Sequence, residues 1–338
     1  MPIEMSAQAR SGQMLPAHQP QNLSMTASES LNPQPNFLII GAAKSGTSSL
    51  WHYLRQHPQI YLPINKEPNF FAFAGQRPDY KGPAPDAVIY EQLYRYCVTN
   101  ATDYQALFTE ADEAIALGEA SVRYLYFPEA AERIEHYLPE AKLILILRHP
   151  VERLYSHYCM NVGMYGLEPL SLAEALAQEP ARKAAHWGWD WHYVSVGQYY
   201  EQVKRYVDRF PPEQLKIFLY EDFCQDTLGV VQQIYAYLGV DANFCPSLSS
   251  RSKSAYIPKS RTLYQFINEP NRLRSWLMKL LPDHTYSSLV DQLSQLNASP
   301  IPPLDETLRA ELQQLFRPDI EKLQTLINKD LSAWLVEL

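Results

Sequence analysis

Short, almost wholly apolar runs alternate along the chain with stretches in which apolar residues recur at helical spacing. Phe37 to Ile40 reads as a buried strand, Thr47 to His57 as a helix stopped by Pro58, and Ile60 to Leu62 as a second short extended piece. Leu117 to Ala120 is a further strand, and Lys142 to Leu147 (KLILIL) is apolar enough to lie inside a parallel sheet, covered on both faces. Pro128 to Leu138, with proline in its first turn, Val151 to Met164, Gly197 to Phe210 and Asp226 to Leu238 read as helices; Leu215 to Tyr220 is a strand between the last two. Such alternation implies right-handed crossovers and a doubly wound α/β sheet, mostly parallel, with helices on both faces and ligands at the carboxyl ends of the strands. Residues 1–35, rich in Ser, Gln, Pro and Ala, show neither helical periodicity nor the apolar run of a secretory signal. They are expected to form a disordered leader ending at the Asn32-Pro33-Gln34-Pro35 breaker, ahead of one folded domain over 36–338.

The first predicted strand runs into Gly41-Ala42-Ala43-Lys44-Ser45-Gly46-Thr47-Ser48-Ser49-Leu50. A glycine-bounded loop between a strand and a helix start turns free backbone N–H groups and the helix dipole toward a phosphate. The Gly-x-x-x-x-Gly spacing makes the expected fold P-loop-like, but Thr47 stands where a nucleoside triphosphatase has its lysine, and the loop's lysine is Lys44. That displacement argues against ATP and GTP enzymes. A second cluster, Arg148-His149-Pro150-Val151-Glu152-Arg153-Leu154-Tyr155-Ser156, follows the KLILIL strand. Arg148 leaves the sheet at its ligand edge and Ser156 stands about two turns into the next helix, so a fork of donors and a hydroxyl can converge on one phosphate.

Composition narrows the classes. A chain of 338 residues with 46% hydrophobic content can bury a large core, and a formal net charge of −8 argues against a protein that coats nucleic acid. Cys97, Cys159, Cys224 and Cys245 are too dispersed for a zinc site or a disulfide framework, which points to a reducing cytoplasm. No run approaches the roughly 20 apolar residues of a transmembrane segment.

The Gly41 to Ser48 loop, the segment Asn65-Lys66-Glu67-Pro68-Asn69-Phe70-Phe71 and Arg148-x-Pro150-x-x-Arg153-x-x-Ser156 together resemble sulfotransferases that use 3′-phosphoadenosine 5′-phosphosulfate (PAPS). The branch is the one that includes heparan sulfate sulfotransferases and many bacterial relatives. The likeness extends through Gly118-Glu119-Ala120-Ser121, Phe210 to Leu215, Tyr220-Glu221-Asp222 and Arg317 to Leu323, covering roughly residues 36 to 335.

The resemblance implies a transferase that needs no metal and releases adenosine 3′,5′-bisphosphate. It places Lys44, Ser45, Gly46, Thr47, Ser48 and Ser49 on the 5′-phosphosulfate, with Lys44 at the bridging oxygen, and Arg148 and Ser156 on the 3′-phosphate. Glu67 is the expected base for the acceptor's proton, its pKa raised by flanking aromatics, with Lys66 near the transferring group. Arg251 and Lys253 are expected in a basic loop that closes over the nucleotide. His149 departs from the usual Asp or Asn beside the phosphate and reads as an exposed or capping residue, while Arg153 is assigned to its helix face and neighbouring acids. His57, at a helix end before Pro58, is read as a helix stop and not as a base. Trp187, Trp189, Trp191, His186 and His192 either line an acceptor cleft or pack, and their spacing carries no metal site. Glu119 either positions Lys66 or the acceptor, or serves a structural hydrogen-bonding role. The acceptor is a small molecule or carbohydrate bearing a hydroxyl or amine, with no nucleic-acid partner. Two rivals stand beside this reading: an ATP or GTP kinase, and a catalytically retired binding scaffold.

Overall fold

In the computed structural model, which describes residues 34–111, 113–248, 256–260, 262–263, 292–293, 296–300 and 302–336, the apolar runs become strands of one parallel sheet. These are β1 (Phe37–Gly41), β2 (Ile60–Tyr61), β3 (Ala116–Ala120), β4 (Lys142–Leu147) and β5 (Leu215–Leu219), in the order β2-β3-β1-β4-β5. Every pairing among them is parallel. The connecting helices in chain order are α1 (Thr47–Leu54), α2 (Phe70–Phe73), α3 (Asp86–Leu93), α4 (Ala101–Ala106), α5 (Arg123–Tyr126), α6 (Pro128–Tyr137) and α7 (Pro150–Met160). They continue with α8 (Leu172–Ala184), α9 (Tyr199–Val207), α10 (Tyr220–Gln225), α11 (Thr227–Leu238) and α12 (Glu306–Ile327). A separate antiparallel pair joins β6 (Tyr256–Pro258) to β7 (Ala298–Pro300). The expected leader, apart from Gln34 and Pro35, lies outside the described residues, as do Arg251 and Lys253.

Burial explains why the central strands are apolar throughout. Phe37 to Ile40 and Leu143 to Leu147 are fully buried. Side chains alternate across a strand, so Phe37, Ile39, Ile144 and Ile146 face one layer, where α1 (Leu50, Tyr53, Leu54) and α11 (Val231, Ile234, Tyr235) close over them. The intervening residues face the other layer, where α5 lies against β1 and in turn packs on α6 and α9. The sheet's direction switches at β1, whose neighbours are β3 on one side and β4 on the other. The carboxyl ends of β1 and β4 therefore open onto one crevice, the place where doubly wound sheets bind ligands.

Element ends differ from expectation for local reasons. The first helix stops at Leu54, and its last turn tightens into backbone bonds from Arg55, Gln56 and His57 to Trp51, Tyr53 and Leu54 before Pro58. The helix expected over Val151 to Met164 is α-helical to Met160 and then continues as a π-helical turn, Asn161–Tyr165, ended by Gly166 in the left-handed region. α9 begins two residues late because Ser195–Gly197 forms a 3-10 turn, and the Asp319 carboxylate accepts from the Tyr199 and Tyr200 N–H groups. The unpredicted α8 carries a capping box, Ser171 with Glu174. Among the described residues no helix is long and apolar enough to cross a membrane.

Candidate active site

The loop after β1 is built to leave donors unused. Gly46 takes φ 83°, a left-handed conformation that turns the chain into α1, and a Cβ there would lie 3.1 Å from the Tyr220 ring. Among the described residues no side chain caps α1, so its first-turn N–H groups at Thr47, Ser48 and Ser49 keep their hydrogen-bonding capacity and the positive end of the helix dipole. The loop's hydroxyls divide by burial. Ser45 and Thr47 are packed beneath the loop at 0% and 4% exposure, whereas Ser48 is exposed and Ser49 half-buried. The buried Ser45 hydroxyl has no hydrogen-bond partner among the described residues.

Lys44, at φ 67°, turns its ammonium inward, where Nζ donates to the Met160 sulfur at 3.3 Å. Burial, followed by repulsion from Arg148, pushes its pKa down to about 8, with Glu67 opposing the shift. Its carbonyl accepts from Arg148 Nη1 at 3.0 Å, which ties the loop after β1 to the end of β4. The Arg148 guanidinium also lies over the Tyr220 ring, 4.7 Å from its centroid. On α7, Ser156 and Met160 are four residues apart and share a face. Lys44 and Arg148 are thus brought together, and Ser156 stands one turn before Met160 on the same helix face.

The neighbours of Arg148 have structural roles. His149 caps α7, its Nδ1 accepting from the Val151 N–H at 3.2 Å while its own N–H donates to Glu221 Oε1 at 3.1 Å. Arg153 departs from expectation: it is fully buried, and its bonds run to the Tyr193 carbonyl at 2.5 Å and His157 Nδ1 at 3.3 Å instead of to acids.

Glu67 reaches the same edge from the other side of β1. Its N–H donates to the Ala120 carbonyl at the end of β3 at 3.0 Å, and it takes φ 65°, followed by Asn69 at 54°. The Asn69 side chain returns to the Glu67 carbonyl at 2.5 Å, and the Asn69 N–H donates to Ser121 Oγ at 3.0 Å. The carboxylate is bracketed by Lys66 Nζ at 2.7 Å and Arg123 Nη1 at 3.8 Å, with Lys66 and Glu67 side chains 19% and 29% exposed. This corrects the expectation of a raised pKa. Burial does push the carboxyl up, but Lys66, Arg123 and Lys44 together outweigh it and hold the group below the ordinary range. Of the flanking rings, Phe70 stacks on Tyr104 and Phe71 packs edge-on to Tyr124. Glu119, in contrast, is pushed up to about 7 by burial although Tyr124, Ser121 and Tyr104 hydroxyls all donate to it. Its hydrogen bonds run to those hydroxyls and not to Lys66, which favours the structural reading.

The other candidates disperse. His57 accepts from the Gln59 N–H and faces the Asp241 carbonyl at 3.0 Å, a buried structural arrangement. Trp189 and Trp191 are core residues, and Trp187 is half-buried. His192 bonds Tyr126 at 2.8 Å while the exposed His186 pairs with Asp79 at 3.2 Å. Arg123, Asp190 and Tyr94 escaped the sequence reading because each lies far along the chain from Glu67 and belongs to no local spacing pattern.

Residues 35–243 match the model of the sulfotransferase family. The chain belongs to that family. A solved sulfotransferase from Alicyclobacillus acidocaldarius is similar over 89% of this chain and 98% of its own, with 35% identity and a TM-score of 0.68. The membrane-associated sulfotransferase kil1 of Dictyostelium discoideum is 33% identical over 128 residues, 38% of this chain and 23% of that protein. The mouse heparan sulfate glucosamine 3-O-sulfotransferase 3A1 is 25% identical over 226 residues, 66% of this chain and 50% of that enzyme. The chain therefore spans half or less of these two curated relatives. The match is to sulfotransferases and not to ATP or GTP kinases, which sets the kinase reading aside.

Proposed function

We propose that this sulfotransferase moves the sulfuryl group of PAPS to a hydroxyl or amine, with a carbohydrate as the first acceptor class to test. The observation that carries the reading is the meeting of Lys44, Arg148 and the Lys66–Glu67 pair at one edge of the sheet, shown by the Arg148–Lys44 bond and by the mutual electrostatic influence of Lys44 and Glu67. The donor set fits an anion with two phosphate-like ends. The uncapped α1 terminus and the depressed Lys44 ammonium suit the phosphosulfate, while Arg148 with Ser156 suits the 3′-phosphate.

Bound there, PAPS supplies a sulfuryl group on a phosphate leaving group. Lys44 and the α1 N–H groups offset the negative charge that gathers on the bridging oxygen. The acceptor oxygen or nitrogen forms the new bond to sulfur as the old sulfur–oxygen bond breaks. The electron pair leaves on adenosine 3′,5′-bisphosphate, and the acceptor's proton passes to Glu67. The depressed pKa keeps Glu67 ionised and able to accept at neutral pH. The carbohydrate choice follows the name of the heparan sulfate relative. Incubation with ³⁵S-labelled PAPS and a metabolite extract tests the proposal: label in a sulfated product supports it, and label only in PAPS and inorganic sulfate refutes it.

A further inference from the structure

Arg123, the first residue of α5, is a guanidinium shared between two carboxylates. Nη2 lies 3.3 Å from Asp190 Oδ1 and 3.3 Å from the Leu93 carbonyl, while Nη1 lies 3.8 Å from Glu67 Oε2. The side chain is 7% exposed, flanked by the Tyr94 and Trp189 rings at 5.1 and 5.0 Å. Asp190 is buried as well, and its other oxygen accepts from the Tyr94 hydroxyl at 2.6 Å. We propose that Arg123 is a positioning residue that holds the Glu67 carboxylate from the side opposite Lys66, and that Asp190, by drawing the guanidinium back, sets how firmly it does so. This rests on the reading of Glu67 as the base.

The chemistry requires such a compromise. A general base must be ionised and fixed, but a carboxylate locked at hydrogen-bond distance on both oxygens takes up a proton poorly. Lys66 already occupies one oxygen at 2.7 Å. Asp190 claims the nearer end of Arg123, and the two rings restrict the guanidinium's movement, so Glu67 Oε2 feels the charge without a tight bond. The ionisable groups around Glu67 come from several elements. Lys66 lies on its own loop, Lys44 after β1, Arg123 on α5, Glu119 in β3, Asp190 in the 3-10 turn Trp189–Trp191 and Cys97 ahead of α4. Removing Arg123 leaves burial less opposed, which shifts Glu67 upward. Removing the charge of Asp190 both ends its repulsion and releases Arg123 toward Glu67, which shifts it downward. A purely structural clamp on the Asp190 turn would produce no such opposition of sign.

The test titrates the Glu67 side-chain carbon by NMR in protein labelled with ¹³C-glutamate, the resonance being assigned by its loss in Glu67→Gln. The midpoint is expected to rise by about one pH unit in Arg123→Met, the lower end of what an opposite charge within about 4–6 Å does. It is expected to fall in Asp190→Asn and to stay near wild type in Arg123→Lys. Midpoints that move together, or do not move, overturn the proposal; where Arg123→Met fails to fold by circular dichroism, the direction of Asp190→Asn decides it. The titration needs no acceptor, so it stands apart from the base reading. Opposed shifts combined with undiminished label transfer by Glu67→Gln would overturn that reading and leave the clamp intact.

Discussion

Replacing Glu119 by glutamine removes one buried charge from the aromatic core beside the site while keeping its shape. The carboxyl is fully buried and accepts from the hydroxyls of Tyr124 at 2.6 Å, Ser121 at 2.8 Å and Tyr104 at 3.4 Å, yet burial still raises its pKa from 4.5 to about 7. The folded state therefore keeps a proton that the unfolded chain releases. The group costs no stability at pH values below about 4.5, costs progressively more as pH rises through the interval, and reaches its full cost above about 7. A difference of about 2.5 units at 1.36 kcal/mol each is on the order of 3 kcal/mol. Glutamine mimics the protonated acid at every pH, so the stability of Glu119→Gln relative to wild type should improve by roughly that amount between pH 4.5 and pH 8. Calorimetric Tm values across this range measure the difference. In domains of 150–250 residues each kcal/mol moves Tm by about 2–4 °C, so a divergence of several degrees is expected. Parallel curves, or a gap that changes in the variant's disfavour as pH rises, would refute the reasoning.

Lys44→Met should weaken adenosine 3′,5′-bisphosphate binding by about 10- to 100-fold, the loss of a charge-assisted hydrogen bond worth about 1.5–3 kcal/mol. Because the Lys44 ammonium titrates at about 8, wild-type affinity should fall as pH rises through that value, and calorimetry should find this limb missing in the variant. Arg148→Ala should reduce the preference for adenosine 3′,5′-bisphosphate over adenosine 5′-monophosphate by about tenfold or more; equal losses for both nucleotides would contradict its place on the 3′-phosphate. Gly46→Ala should cost about 1–2 kcal/mol through its left-handed φ of 83° and its approach to Tyr220, which an unchanged denaturation midpoint would refute.

The sheet was legible wherever a strand is buried on both faces. The KLILIL run is β4, and the FLII run gives β1 up to Gly41. The loop from Gly41 to Leu50 likewise disclosed its left-handed glycine turn into α1, because backbone conformation and glycine spacing are local matters. What sequence could not disclose is which side chains turn inward. Thr47 and Ser45 belong to the motif yet are buried, and Phe70 stacks on Tyr104 while Phe71 packs edge-on to Tyr124. Lys66, next to Glu67 in the chain, does most to lower its pKa, and Arg123, brought close only when α5 packs at the end of β3, adds to it. The α8 helix was a missed local signal, since Ser171-x-x-Glu174 is a capping box in the sequence itself.

The most direct measurement compares wild type with Glu67→Gln in the ³⁵S-PAPS transfer assay while titrating both with adenosine 3′,5′-bisphosphate in a calorimeter. The account predicts that the variant loses label transfer by at least about 100-fold, the lower range for a general base, and binds the nucleotide within about twofold of wild type, since Glu67 is assigned to the acceptor and not to the phosphates. Undiminished transfer, or loss of transfer and nucleotide binding together in a folded variant, would contradict it.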